Sequence, residues 1–234
     1  MTRIELIPSQ HRVLNRHIVH DPRSWEHQVR RGVTAIPTTG VHHMRHAPVW
    51  DQGEVGCCTC DAMLGMLMTG PFMAERKKLN KPQFDFTQKD CLDLYRVETR
   101  LDNREIPGSW EPDDTGSSFL YAATAAKKMK LVNRYVWAFT VAQALTLLLE
   151  RPLNMGTYWY EDMMEPNIKL GLRARGDMVG GHEYVIDEWD PKKQRVWMQN
   201  SWTDSWGIHG RMWMSLGTFG TLLKRDGDIG TVYL

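Results

Sequence analysis

The chain has no run of consecutive apolar residues approaching the roughly 18 that a membrane span requires. Its opening, Met1-Thr-Arg-Ile-Glu-Leu-Ile-Pro, also lacks the apolar core of a secretory leader. A protein kept in the cytoplasm or elsewhere inside the cell is expected, with no membrane partner. Neither sign of charge is in excess. The formal net charge is +1 over 234 residues, so the chain as a whole is neither a polyanion binder nor an acidic solvating protein, and no nucleic-acid partner is expected. Cysteine is scarce: of four residues, three crowd into Cys57, Cys58 and Cys60. That is a poor disulfide framework for a chain of this length, and the thiols are expected to be reduced. Internal repeats, low-complexity tracts and Gly-rich phosphate loops are missing. Gly180-Gly181 precedes a strand pattern instead of opening a helix, which removes the nucleotide-site reading, and no cofactor is indicated.

What is present changes character along the chain. Residues 1–47 hold seven of the nine histidines, and residues 1–50 carry seven Arg against three acidic residues, 7 − 3 = +4. Their periodicity is weak. They read as an N-terminal basic, His-rich arm or as an extended strap packed over the globular body, the strap being the simpler reading. From Cys58 to Met68 helix formers dominate and stop at Gly70-Pro71, which predicts a buried helix with Cys58 at its N-terminus. Further helices are predicted from Thr87, a capping residue, to about Thr99, from about Ser117 to Lys130, and from Thr140 to about Leu149. Asp102 to Asp114 has five acidic residues against one Arg, with Pro107, Gly108 and Pro112, and reads as a loop. From Leu153 the pattern turns to strands: 153–159, 183–189, 195–200 and 211–215, with Asp190-Pro191 at a turn. Helices first and strands second predict an α+β fold. A helical lobe (48–139) would face a sheet or barrel lobe (140–234).

Two distant stretches carry chemistry. A thiol at a helix N-terminus feels partial positive charge from free N–H groups, which favours thiolate, and this is what a nucleophilic Cys58 needs. Gln52, six residues upstream in a Gly-flanked loop, can place its amide beside the backbone N–H of Cys58 as an oxyanion hole. His182 starts an apolar strand after two glycines. Asn200 ends the following strand, so a hairpin can bring its amide oxygen to the imidazole, and Trp202 can cover that bond from water. Taken singly, Cys58 reads as a small buried hydrophobe and His182 as a satisfied core histidine. Together they supply nucleophile, base, orienter and oxyanion donor.

The order Cys, His, Asn and the local sequences resemble the papain family of cysteine peptidases. Its nucleophile pattern, Gln-Gly-x-x-Gly-Ser-Cys, reads here Gln52-Gly53-Glu54-Val55-Gly56-Cys57-Cys58. Its histidine strand is similar to Gly181-His182-Glu183-Tyr184-Val185-Ile186, and its Asn-Ser-Trp signature to Asn200-Ser201-Trp202 with Trp206-Gly207 and Gly210. Asp114-Thr-Gly-Ser-Ser118 resembles a helix-opening segment of bacterial relatives. The resemblance spans Pro48 to the C-terminus. It implies a helical lobe against an antiparallel β-barrel lobe with the active site in the cleft between them. It also implies a polypeptide substrate, hydrolysis through Cys58, His182 and Asn200 with Gln52 in the oxyanion hole, backbone pairing of an extended peptide at Gly116, and Trp202 lining the leaving-group side.

Departures from the pattern bear on function. Val55 stands where the family has a disulfide-bonded cysteine, consistent with a reducing compartment. Cys57 replaces Ser, and Thr203 replaces a signature Gly. No long inhibitory pro-segment precedes the domain, so activity is expected to be controlled otherwise or to need no zymogen. Glu183 holds a position that in the family is small and beside the acyl-side pocket. It either selects a basic substrate side chain there or turns inward to a structural Arg. An acyl transferase or cell-wall amidase would use the same residues, and an inactive binding protein would keep the fold. A zinc module built from Cys57, Cys58 and Cys60 with His42, His43 or His46 does not match usual ligand spacings, so no metal is expected. The texture resembles proteins of bacteria and their viruses, compatible with virion association. Oligomeric state is not encoded in any motif.

Overall fold

The computed structural model describes residues 12–29, 32–103 and 106–234. The start of the basic arm, its Arg30-Arg31 pair, and Arg104 and Glu105 of the acidic loop lie outside the described residues. The helix after Cys57 is α1 (Cys58–Leu67), and all ten of its residues are buried. A helix that is apolar on every side must be enclosed. Three more helices, α2 (Phe72–Lys78), α3 (Gln88–Asp102) and α4 (Phe119–Lys128), form the helical part, with α3 and α4 against α1. Met63, Leu64, Met66 and Leu67 are almost wholly buried there. Each contributes about 1.5–3 kcal/mol by leaving water. The start of α3 is fixed by the predicted Thr87, whose N–H and hydroxyl donate to the Asp90 carboxylate at 2.8 and 2.7 Å.

Among the described residues seven antiparallel strands make the opposite layer: β1 (Val41–His42), β2 (Arg134–Trp137), β3 (Leu153–Tyr160), β4 (Met178–Asp190), β5 (Arg195–Gln199), β6 (Arg211–Ser215) and β7 (Asp228–Tyr233). They are accompanied by α5 (Val141–Leu148), α6 (Glu161–Met164) and α7 (Leu216–Lys224). The order is β2-β7-β3-β4-β5-β6, with β1 continuing along β4 where β3 ends. Among the described residues β2 does not meet β6, so the sheet stays open and the expected barrel is corrected to a twisted layer. The segregation of helices before strands is also incomplete. β2 is drawn from between α4 and α5 because Tyr135 and Val136 pair with Val232 and Thr231 of β7. β3 and β4 carry α1 on one face, so α1 lies in the seam between the layers.

The N-terminal segment crosses that seam. The Arg16 amide donates to Gly181 O at 3.1 Å, the His17 amide to Ser117 O at 2.7 Å, and the Ser117 amide returns a bond to Asn15 O at 3.2 Å. Further on, Val29 N–H binds Trp137 O at 2.7 Å, extending the outer edge of β2, and β1 closes the run against β4. All four cysteines are free and buried. Thermal melting in dithiothreitol or with a chelator is therefore expected to match melting without them to within about 2 °C, and a larger drop would mean a disulfide or metal holds the fold. No helix among the described residues is long and apolar enough to cross a membrane.

Candidate active site

The loop before α1 is tied to the segment after β5. Gln52 N–H donates to Ser201 O at 3.0 Å, and Thr203 N–H to Trp50 O at 3.0 Å. The Gln52 side chain is thereby held with its carbonyl oxygen accepting from Ser201 Oγ at 2.8 Å and Trp202 Nε1 at 3.1 Å. Both partners are donors, so the amide is oriented and its Nε2 must face the other way. It donates to Val13 O at 3.0 Å and to Val55 O at 3.1 Å. The donor expected to receive an oxyanion already holds a peptide carbonyl, and that carbonyl belongs to the N-terminal segment.

His182 lies in β4 and Asn200 immediately after β5, hairpin partners as the turn at Asp190-Pro191 predicted. Asn200 Oδ1 accepts from Ser201 N–H at 2.8 Å and sits 2.7 Å from His182 Nε2. Because the Ser201 amide can only donate, Oδ1 is an acceptor, so Nε2 carries the proton and Nδ1 is the free basic nitrogen. Nδ1 is buried with no hydrogen-bond partner among the described residues. Trp202 stacks on the imidazole with centroids 4.5 Å apart and planes at 29°, and Trp159 meets it edge-on at 4.8 Å. Trp202 thus both shields His182 and orients Gln52, and the second role had no sequence signal.

Cys58 is the first residue of α1, with Cys57 at the cap. The helix terminus was expected to lower its pKa; the structure reverses that. Burial, followed by the charge of Glu183, pushes the thiol well up, against backbone amides of Glu183 and Asn15 that donate toward the sulfur. Burial likewise drives His182 down to about 4, opposed by its bond to Asn200. Both residues are 0% exposed. Burial thus favours the neutral form of each group separately.

Gly116, expected to pair with an extended peptide, makes no backbone pair with the described residues of the N-terminal segment; Ser117 does. The Gly116 N–H donates to Tyr95 Oη at 2.9 Å, and Ser117 pairs with the strap. Gly116 supplies room instead: a Cβ on it would lie 1.9 Å from Asn15 O, at a φ of +69°. Asp114 clasps the two loops, accepting from Gly56 N–H at 2.7 Å, Tyr95 Oη at 2.6 Å and Asn15 Nδ2 at 2.9 Å. Glu183 turns inward, and its neighbour is Arg16 of the strap, 4.0 Å away with both side chains buried. The expected strap thus reaches the start of α1 with Val13 to His17, a placement that no sequence feature indicated. Those residues follow no helical or strand period.

Beneath α1, Cys57 donates to Asp61 Oδ2 at 3.1 Å and Cys60 to Glu98 Oε2 at 2.6 Å. These carboxylates hold the thiols protonated. Burial raises Glu98 to about 8 and Asp61 to about 6. A carboxyl whose folded pKa is raised contributes stability in full below its unfolded value near 4.5, and loses it as pH climbs to the folded value. Stability is therefore expected to fall from pH 5 to pH 8. Glu98→Gln is expected to reduce the loss between pH 6 and pH 8 by about 2 kcal/mol. Urea unfolding at the two pH values measures it, and an unchanged slope would mean that Glu98 is ionised in the fold. His43, one of the ligand-like histidines, bonds Leu148 O at 2.7 Å instead.

A helical layer and an antiparallel sheet, joined along a seam that holds α1, give this chain the papain-like cysteine protease fold. It superposes on xylellain, a cysteine protease from Xylella fastidiosa, with a TM-score of 0.70 at 17% identity over 97% of this chain and 98% of that one. For digestive procathepsin L 3 of Tenebrio molitor larval midgut the TM-score is 0.61 at 11% identity, over 89% of this chain and 74% of the other. For a recombinant stem bromelain precursor it is 0.60 at 11% identity, over 93% and 74%. No protein-family model matches the chain, and no curated protein sequence is detectably similar to it.

Proposed function

We propose that the chain is a thiol-dependent peptidase acting through Cys58, His182 and Asn200, with Gln52 and the Cys58 amide as oxyanion donors. The observation that carries this reading is the Gln52 side chain. It is oriented by two donors and already holds a peptide carbonyl of the N-terminal segment. With the strap displaced, the Cys58 thiol gives its proton to His182 Nδ1, the one basic nitrogen that the Asn200 bond leaves free. The sulfur attacks the substrate carbonyl carbon, and the oxygen's negative charge falls between Gln52 Nε2 and the Cys58 amide. The imidazolium returns the proton to the leaving amine. Water, deprotonated by the same nitrogen, then releases the acyl group from the thioester. The Ser117 backbone and Gly181 O, which hold the strap, are the pairing groups for an extended polypeptide.

The test is covalent trapping. A peptidyl epoxide incubated with the full chain at neutral pH is expected to add once, at Cys58, as mapped by mass spectrometry, and to remove hydrolysis of a fluorogenic peptide library in parallel. First labelling at Cys57 or Cys60, or labelling of Cys58 without any hydrolytic activity to lose, would overturn the reading. Amide products with added amines in place of free acids would turn it into acyl transfer.

A further inference from the structure

Two helices of the helical layer end in the same way. α2 closes on Lys77-Lys78 with Leu79 at its cap, α4 on Lys127-Lys128 with Met129 at its cap, and the next residue takes a left-handed conformation in both, Asn80 at a φ of +52° and Lys130 at +60°. The backbone bonds match as well. Asn80 N–H donates to Lys77 O at 3.2 Å and Lys81 N–H to Arg76 O at 3.0 Å; at the other tip Lys130 N–H donates to Lys127 O at 3.0 Å and Leu131 N–H to Ala126 O at 2.9 Å. These are the two bonds of a left-handed C-terminal cap, where glycine is the preferred residue. Lys130 sets a charge there instead.

Leu79 is 50% exposed and Met129 40%. Each stands among three exposed lysines, Lys77, Lys78 and Lys81 at one tip and Lys127, Lys128 and Lys130 at the other. Lys89 and Lys193 pair with carboxylates, but among the described residues none of these six does. Glu75, the acid of α2, is taken by Arg151 at 3.0 Å. The helix dipole favours cations in a last turn, which accounts for Lys77, Lys78, Lys127 and Lys128. It accounts neither for Lys81 and Lys130 nor for an aliphatic side chain displayed among the charges.

The tips sit away from the cleft. α1 starts at Cys58 and α4 at Phe119, just after the Ser117 that meets the N-terminal segment, so both carry the chain away from the seam by about 15 Å. The start of α2 and the exit of α4 then meet at one ring. Arg151 lies over Phe72 at 5.4 Å and over Tyr233 at 4.0 Å, and Arg134 lies over the same Tyr233 at 3.7 Å. Both tips thus belong to the end of the helical layer remote from Cys58.

We propose that the two tips form a peripheral docking surface for an anionic lipid bilayer, with the six lysines at the headgroups, Leu79 and Met129 entering the interface, and the cleft facing the solution. The expectation of no membrane partner rested on the lack of an apolar span, and a surface contact needs none. Lysines are compact point charges without the planar fork that fits a single carboxylate, so two exposed helix ends bearing them suit a fluid anionic surface better than one acidic side chain of a folded partner. The nearby rings are taken up by cations, Tyr135 by Lys127 and Tyr233 by Arg134 and Arg151, which removes the stacking platforms that a single-stranded nucleic acid uses. Each cation near an anionic leaflet strengthens adsorption about fivefold, and salt weakens the effect.

The test is sedimentation of the full-length chain with large unilamellar vesicles of phosphatidylcholine, alone or with about one third phosphatidylserine, at about 0.1 M and about 0.5 M salt. Partitioning is expected to be at least about tenfold stronger onto the phosphatidylserine vesicles at the lower salt and to lose that preference at the higher. Lys77→Gln with Lys78→Gln, and Lys128→Gln with Lys130→Gln, are each expected to weaken it at least about tenfold. Leu79→Ser with Met129→Ser is expected to weaken it at least about fivefold. All six positions are exposed, and an unchanged melting temperature checks the fold of each variant. Should the serine pair lower it, Leu79→Gln with Met129→Gln gives the same comparison. Equal partitioning onto both vesicle types, or adsorption that survives either lysine pair or the loss of both aliphatic side chains, would overturn the proposal. Tighter binding of decaglutamate or of a single-stranded oligonucleotide than of the anionic vesicles would also overturn it and make the tips a protein or nucleic-acid docking site. No turnover is read, so the outcome is independent of the peptidase assignment.

Discussion

Replacing Cys58 with alanine is expected to lower peptide hydrolysis by at least about 10⁴-fold, because the step that forms the acyl-enzyme has no other nucleophile in the cleft. Cys57 and Cys60 cannot take over. Their thiols donate to Asp61 and Glu98, face the core, and are pushed up by burial and by those carboxylates. Asn200→Ala is expected to lose much less. A hydrogen bond to a charged group contributes about 1.5–3 kcal/mol, equivalent to about ten- to 150-fold in kcat. The two substitutions also separate in their pH profiles. Asn200 raises the His182 pKa, so without it the imidazolium deprotonates earlier and the alkaline limb moves to lower pH. Steady-state kinetics across pH 5–9 measures both. An Asn200 variant as dead as the Cys58 variant, or one with an unshifted alkaline limb, would mean that Asn200 does not act by orienting the imidazole.

A single added methyl group on Gly181 is expected to accelerate alkylation of Cys58 by at least about 100-fold. Each unit by which the thiol pKa falls raises the thiolate fraction tenfold in this range, and exposed cysteines at helix N-termini beside an imidazole titrate well below an ordinary thiol. The methyl would meet Arg16 O at 2.4 Å, Ile18 Cγ2 at 2.8 Å and Arg16 C at 3.2 Å, all atoms of the strap. None of these three nearest atoms belongs to the sheet. Gly181→Ala is thus an eviction aimed at the segment that keeps water from the pair. The measurement is iodoacetamide labelling with site mapping at pH 7. Unchanged kinetics would mean that some other element guards the thiol, and simultaneous labelling of Cys57, Cys60 and Cys91 would mean that the methyl had loosened the whole fold.

The two-layer α+β architecture was legible in the change from helical to strand periodicity near Leu153. Gln52, Cys58 and Asn200 sit at element boundaries marked by Gly or by a turn, marks that survive in one dimension, whereas His182, expected to start a strand, lies inside β4. β7 gave no such mark: Asp228-Ile-Gly-Thr-Val-Tyr is buried on both faces for most of its length, so no alternation betrays it. α2 escaped because Phe72 is its one fully enclosed apolar side chain, the rest of Phe-Met-Ala-Glu-Arg-Lys-Lys reading as solvated charge. A strap could be expected from the weak periodicity of residues 1–47, but its docking place could not. Asn15 and Arg16 are polar residues that become interior only because Asp114, Ser117, Gly181 and Glu183, about 100 to 170 positions away, receive them. The glycines left a trace that could have been followed. Gly116, Gly156 and Gly181 each stand where a side chain would strike that segment.

The strap is fastened downstream as well as inserted. Val29 bonds the edge of β2 and Val41–His42 lie along β4, so residues that leave the cleft stay tethered by about a dozen residues, a flexible reach of about 20 Å. A tether of that length presents the strap to its own cleft at an effective concentration in the millimolar range. Dilution cannot lower that concentration, and a free peptide at micromolar levels competes poorly against it. One backbone cut between the cleft and Val29 would turn that first-order return into a bimolecular encounter, after which the released fragment would be lost to dilution.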